Sequence, residues 1–264
     1  MIQIDPKICI GCGACVRDCP GEALRLEEKK AVSVRDCIHC GHCVAVCPTK
    51  AVSIPEYDME EVEEYEKDTF TIDPVNFLHA VKFRRSIRDY EDQPVEREKM
   101  ERILNAGRYT ATAKNTQSCR FILLQEELGE FKKQVWKEIP EIVERLREVA
   151  PRYARVFELF YRKYQKDTCA DTFFFNSTSF LVITARDPLD GGLAAANIEN
   201  MAVAEGAGVL YSGYLIRILK NSPALREWLA IAEDEEIVCC MLLGYPAVTY
   251  KRTAPRKKGN IEWR

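Results

Sequence analysis

The sequence has no uninterrupted apolar run of the roughly 18 residues that mark a membrane-spanning helix. Its best candidate, Leu193 to Ile218, is broken by Glu199, Asn200, Glu205 and Arg217. The opening Met1-Ile2-Gln3-Ile4-Asp5-Pro6-Lys7 lacks the basic start and apolar core of a secretory signal. One-sided charge is missing too, since 38 basic residues face 41 acidic ones for a formal net charge of −3. That balance offers no general attraction to nucleic acid or anionic lipid. There is no Gly-x-Gly-x-x-Gly dinucleotide fingerprint, and no cysteine or histidine constellation of the transferase or protease kind. These absences lead to the expectation of a cytoplasmic protein with neither nucleic acid nor membrane as partner.

Cysteine is what the sequence has in excess. Twelve occur in 264 residues, and eight of them fall in the first 50. In a reducing compartment such a cluster holds metal more readily than disulfides. The apolar fraction of 47% matches a globular chain, and the length suggests one large domain or two unequal ones.

The cysteines form a repeat. Cys9-Ile10-Gly11-Cys12-Gly13-Ala14-Cys15 returns as Cys37-Ile38-His39-Cys40-Gly41-His42-Cys43, and Cys19-Pro20 returns as Cys47-Pro48, always 28 residues on. Each unit spells C-x2-C-x2-C-x3-C-P. Three thiolates two residues apart reach three irons of one cubane, while the fourth, before proline, ligates the other cluster. One 4Fe–4S cluster then takes Cys9, Cys12, Cys15 and Cys47, and the second takes Cys37, Cys40, Cys43 and Cys19. Zinc, which prefers two ligand pairs across a longer loop, fits two equal runs of four poorly. Alternating stretches at Ile2/Ile4, Leu24/Leu26, Val32/Val34 and Val52/Ile54 suggest two small hairpins around the metal. His39 and His42 are surplus to eight thiolates and read as surface or tuning groups. Cys119, Cys169, Cys239 and Cys240 carry no assigned chemistry. Over about residues 1–55 the sequence resembles the bacterial two-cluster ferredoxin family.

Residues 56–68 carry eight acids and one base and read as a solvated connector or exposed helix. The expected division is a cluster module at 1–55, a linker at 56–73 and a second domain at 74–264. In that domain Asp73-Pro74 should open a helix with Phe77, Leu78 and Val81 on one face. Pro94 should open another, carrying Ile103 and Leu104, and Ser222-Pro223 a short third. Arg120–Gln125, Phe180–Ala185 and Ile237–Gly244 read as buried strands, with a small-residue helix at about Leu193–Ala207. The middle, Glu126–Phe175, is expected to form a lid, although Tyr153, Phe157, Phe160, Tyr161 and Phe173–Phe175 suit core packing more than substrate contact. The segregated order argues for an α+β fold.

Arg84-Arg85-Ser86-Ile87-Arg88 gathers three guanidinium groups suited to phosphate. Asn115 and Gln117 offer amides for the edge of a planar heterocycle. In order, these motifs resemble the FMN-dependent nitroreductase family over about residues 74–264. Arg84, Arg85, Ser86 and Arg88 match its Arg-Arg/His-Ser-x-Arg/Lys motif. Asn115 and Gln117 match the amides of its second motif, whose flanking Pro, Ser and Pro-Trp are replaced here. Gly206-Ala207-Gly208 leads into Tyr211, Ser212, Gly213 and Tyr214, and Leu243-Gly244-Tyr245-Pro246 is intact.

The resemblance implies an α+β sandwich after a ferredoxin-like domain, an FMN held by these residues, and a basic tail closing the phosphate site, with Arg256 favoured before Arg252. It also implies a homodimer built through this domain. The expected activity is an oxidoreductase in which two 4Fe–4S clusters relay electrons to FMN. The acceptor would be electron-poor, such as a nitroaromatic, quinone or enone, and the donor an external ferredoxin, flavodoxin or NAD(P)H. The rival expectation is an electron carrier or redox sensor without turnover.

Overall fold

A computed structural model describes residues 2–233 and 235–264. It divides the chain into two compact units. The first holds Met1–Thr71 together with Thr112–Thr116; the second holds Ile72–Ala111 and Gln117–Arg264.

In the first unit the sequence repeat is also a backbone repeat. Helix α1 (Ala14–Arg17) and helix α2 (His42–Ala45) occupy equivalent positions, each preceded by a left-handed glycine, Gly13 at φ 70° and Gly41 at φ 77°. Strand β1 (Gln3–Ile4) precedes α1, while β2 (Leu24–Glu27) and β3 (Lys30–Ser33) lie between the helices and β4 (Val52–Ser53) follows α2. The two expected hairpins are one hairpin and one closing pair. β2 and β3 pair antiparallel through the left-handed Glu28 and Lys29, whereas β1 pairs with β4 from the far end of the module. A two-residue hairpin turn needs a φ > 0 pair, which Glu28 and Lys29 supply between β2 and β3. Ile2, Leu24, Ala31, Ala51 and Val52 form a small core with Cys9, Cys15 and Cys43. The acidic stretch contains one 3₁₀ turn, Met59–Glu61, and the short α3 (Lys67–Phe70), with no buried residue in either.

The second unit opens with α4 (Pro74–Phe83), where the Asp73 carboxylate accepts the Asn76 N–H at 2.7 Å as an N-cap. Helix α5 (Arg97–Arg108) starts three residues after Pro94 and buries Met100, Ile103 and Gly107. β5 (Arg120–Leu124) leads into the long α6 (Leu128–Val149) and α7 (Pro151–Lys166). β6 (Ser179–Thr184), α8 (Pro188–Ala204), β7 (Gly208–Tyr211), α9 (Gly213–Lys220), α10 (Pro223–Trp228) and β8 (Ile237–Gly244) complete it. The antiparallel sheet runs β5-β6-β8-β7. β7 was not among the three expected strands, because its Gly-Val-Leu-Tyr is too short to show a period of two.

Two apolar clusters flank this sheet. Leu181, Ile183, Met241 and Leu243 pack with Met100, Ile103 and Ile198; Phe180, Val182, Cys240 and Leu242 pack with α6, α7 and α9. Such alternation along β6 and β8 is the mark of a strand covered on both faces. The middle segment is therefore core. Phe131, Phe157, Phe173 and Phe174 are fully buried, and Trp136 stacks on Tyr164 at 4.4 Å. Among the described residues no helix is long and apolar enough to cross a membrane.

Candidate cofactor sites

Cys9, Cys12, Cys15 and Cys47 line one small apolar pocket together with Ile4, Ala31 and Val52. These are the four thiols that the spacing assigns to one cluster, drawn from both repeats. Burial, then the neighbouring Cys47, Cys9 and Cys12 sulfurs, push the Cys15 thiol up. Burial and then Cys37 and Cys40 push Cys43 up to about 11, which gathers three ligands of the second set. Burial also acts on Cys47, but N–H groups of Thr49, Ala51 and Val52 and the Thr49 hydroxyl outweigh it and lower that thiol. The Cys47 Sγ accepts the Ala51 N–H at 3.2 Å, and the Cys19 Sγ accepts the Ala23 N–H at 3.2 Å. The same bond thus recurs 28 residues apart on the two crossing ligands. N–H···S contacts stabilise negative charge on a cluster and tune its potential.

Among the described residues no three His, Cys, Asp or Glu side chains converge on a point as a single ion requires. Four thiols around one apolar space supply the all-sulfur donor set that a 4Fe–4S cluster takes. The eight-thiol donor set and the amide contacts on Cys19, Cys37 and Cys47 fit two cubanes, and the first set also shares one pocket.

In the second unit, the segment carrying Arg84 to Arg88 lies along β7. Ser86 bridges Val209, and the Ile87 N–H donates to the Val209 carbonyl at 3.1 Å. The segment continues against the turn after β8, where Tyr90 bridges Pro246 and the Glu91 N–H donates to the Tyr245 carbonyl at 2.9 Å. Gly208 makes this approach possible, since a Cβ there would stand 2.3 Å from Ile87 Cγ1. Three of the four sequence motifs therefore meet at one sheet edge.

Their side chains divide the work. Arg84 Nη1 pairs with Glu199 Oε1 at 3.0 Å, with both groups largely buried. Burial raises the Glu199 carboxyl above its usual range despite this arginine. Arg85 donates to the carbonyls of Lys82 and Arg84 and lies 5.9 Å from the centre of the Tyr250 ring. Arg88 is exposed and donates to the Ser86 carbonyl at 3.5 Å. Ser212 is buried and its Oγ caps α9 by accepting the Leu215 N–H at 3.3 Å. A Cβ on Gly213 would meet nothing within 4 Å. Tyr214 packs edge-on against Phe157 at 5.7 Å and Phe160 at 5.9 Å.

The two amides of the second motif fall in different units. Gln117 belongs to the second, while Asn115 belongs to the first. There its Nδ2 donates to the carbonyls of Ile38 at 3.2 Å and His39 at 2.9 Å, and lies 3.3 Å from the Tyr57 hydroxyl. Arg252 and Arg256 lie on an exposed tail without secondary structure, and Arg256 donates to the adjacent Pro255 carbonyl at 3.4 Å. Glu199 is the residue that sequence reasoning missed. It sits in a helix of small residues where a lone acid reads as surface, and only the tertiary approach of Arg84 reveals it.

Of the four remaining cysteines, Cys239 and Cys240 are buried and Cys169 is exposed. Burial, followed by the charge of Glu199, pushes Cys239 up to about 12, which keeps it a protonated, inert thiol.

Comparisons with known proteins agree with this geometry. Residues 81–245, more than half of the chain, match the nitroreductase family. Residues 1–48 and 36–81 each match a 4Fe-4S dicluster domain. No curated protein matches the chain. Among solved structures, a nitroreductase with bound FMN from Desulfitobacterium hafniense is similar at 17% identity and a TM-score of 0.54, covering 70% of this chain and 98% of that one. A nitroreductase with bound FMN from Bacteroides fragilis gives 17% and 0.54 over 70% and 97% of the two chains. An FMN-dependent nitroreductase from Clostridium difficile gives 16% and 0.51, again over 70% and 97%. At such identities the likeness establishes the α+β fold of the second unit. The chain belongs to the nitroreductase family and carries a 4Fe–4S dicluster domain ahead of its nitroreductase domain.

Proposed function

We propose that the protein is a flavin-dependent oxidoreductase whose two 4Fe–4S clusters relay electrons to FMN for reduction of a small electron-poor acceptor. The observation that carries this reading is the meeting of Arg84–Arg88, β7 and the Tyr245–Pro246 turn at one sheet edge, on a chain that also holds a dicluster module. FMN, when bound, accepts electrons singly and delivers them in pairs, which matches one-electron clusters to a two-electron acceptor.

Arg85 and Arg88 turn to backbone carbonyls in the structure, which suits them to bind an anionic phosphate or the reduced flavin. Arg84, held by Glu199, contributes position more than net charge. Ser86 and Gln117 are proposed to contact the flavin ring. Gly213, with open space where a Cβ would stand, admits a planar ring close to the backbone, between Ser212 and Tyr214. Arg252 and Arg256 are proposed to close the phosphate site. Cys9, Cys12, Cys15 and Cys47 hold one cluster, and Cys37, Cys40, Cys43 and Cys19 the other. The proposed division remains a cluster domain at 1–55, a connector at 56–73 and an FMN domain at 74–264.

The working form is proposed to be a homodimer. Helix α4 buries none of its residues, and Val75, Phe77, Leu78, Val81 and Phe83 are all more than 40% exposed. A helix that leaves five large apolar side chains this exposed marks an interaction element, and the commonest partner in a soluble oligomer is a second copy.

Anaerobic reduction with dithionite, reduced ferredoxin, reduced flavodoxin and NADPH in parallel, then reoxidation by nitroaromatic, quinone and enone acceptors, tests the activity. Multiple turnovers with at least one donor–acceptor pair are expected. A single stoichiometric reduction with no turnover would make the protein a carrier or sensor.

A further inference from the structure

The two cluster loops share a sequence pattern but differ in how they are held. In the first, Gly11 takes a left-handed conformation at φ 71°, and a Cβ there would stand 2.0 Å from the Lys29 carbonyl oxygen. The loop carbonyl at Cys9 receives the Lys30 ammonium. In the second, His39 takes the same left-handed conformation at φ 52° with a side chain attached. For a non-glycine residue that conformation is strained and persists only where neighbours over-determine it.

The neighbours are visible. The His39 ring meets Tyr57 edge-on at 6.2 Å. Its carbonyl and that of Ile38 both receive the Asn115 amide, from 76 and 77 residues further along the chain. Asn115 is itself left-handed at φ 55°, between Lys114 at 53° and Gln117 at 47°. Three such residues within four positions give the chain a tight turn here, and Asn115 lies in it. The His39 N–H meanwhile donates to the Cys37 Sγ at 3.2 Å. Fixing the carbonyls of residues 38 and 39 therefore fixes the peptide whose N–H points at a cluster ligand.

We infer that Asn115 is a positioning residue for the second cluster: its amide clamps the Ile38–His39 turn and thereby sets the N–H···S contact on Cys37 and the potential of that cluster. This rests on the cluster reading of the cysteines and is independent of whether flavin binds. Loss of the clamp weakens a contact that favours the reduced cluster, so the midpoint falls. A carboxylate in place of the amide lowers it further, because it faces two carbonyls and adds negative charge beside a centre that gains an electron.

The test is a potentiometric titration followed by electron paramagnetic resonance on the full-length, anaerobically prepared chain, wild type against Asn115→Ala and Asn115→Asp. Asn115→Asp preserves side-chain size and reports even if the alanine variant folds poorly. The expected result is two resolvable midpoints in the wild type, of which one falls in the variants, more for Asp than for Ala, while the other stays in place. Two midpoints unmoved in both variants, or flavin loss with unchanged cluster spectra, would overturn the inference. Absence of cluster signals in the wild type would instead remove the cluster reading beneath it.

Discussion

Arg84 and Glu199 show how one residue can be read only through another. The sequence marks Arg84 as a phosphate ligand, yet its guanidinium is already committed to a carboxylate on α8. Burial raises that carboxyl, and Arg84 only partly offsets the rise. For an acid whose folded pKa lies above its unfolded value, the native state holds the proton more tightly. This group's contribution therefore becomes more favourable as pH falls through the raised pKa, and less so above it. Gln keeps an acceptor for Arg84 and removes the carboxylate's desolvation penalty, which outweighs its attraction to Arg84. Glu199→Gln is expected to leave the Tm at pH 7 unchanged or higher and to flatten its pH dependence in the mildly acidic range. A Tm lower by several degrees at pH 7, measured by calorimetry, would show that the ion pair is net stabilising. Legibility at this scale was uneven. The cluster cysteines could be read because ligand spacing is local, whereas the Arg84 partner lies 115 residues away in sequence.

At the scale of elements, the junction of the Arg84–Arg88 segment with β7 depends on a missing side chain. Gly208 faces Ile87 Cγ1 at 2.3 Å and Pro246 Cγ at 3.0 Å from where a Cβ would stand. Gly208→Ala is expected to push the arginine segment off the sheet edge. It should cost about 1–3 kcal/mol by overpacking and reduce bound flavin while leaving iron content intact. Wild-type flavin content in a stable Gly208→Ala protein would dissociate that junction from the flavin site. The helices were legible where a cap marks them, as Asp73-Pro74 and Ser222-Pro223 do, each with its capping bond in place. β7 was not, since four residues cannot display alternation and its place is fixed by pairing with β8. Helix α5 begins at Arg97 and not at Pro94 because the chain first passes Val95 into the core.

For the whole molecule, the sequence signalled two modules through composition alone, and the structure adds that Thr112–Thr116 joins the first unit. No sequence pattern could announce that excursion, because Asn115 meets the carbonyls of Ile38 and His39, which any residue presents. The exposed face of α4 belongs to this scale as well. Phe77, Leu78 and Val81, read from the sequence as sharing one helix face, stay more than 40% exposed. Leu78→Glu is expected to shift the protein from dimer to monomer in analytical ultracentrifugation. A monomeric wild type, or a variant that remains fully dimeric, would remove α4 from the interface.

The proposed function joins two iron–sulfur clusters to a flavin on one chain. Cofactor analysis of the anaerobically purified chain tests it most directly. About eight iron and eight sulfide, the content of two cubanes, are expected together with one FMN per chain. A chain that keeps its iron and sulfide but carries no flavin, and takes none up from solution, would contradict it.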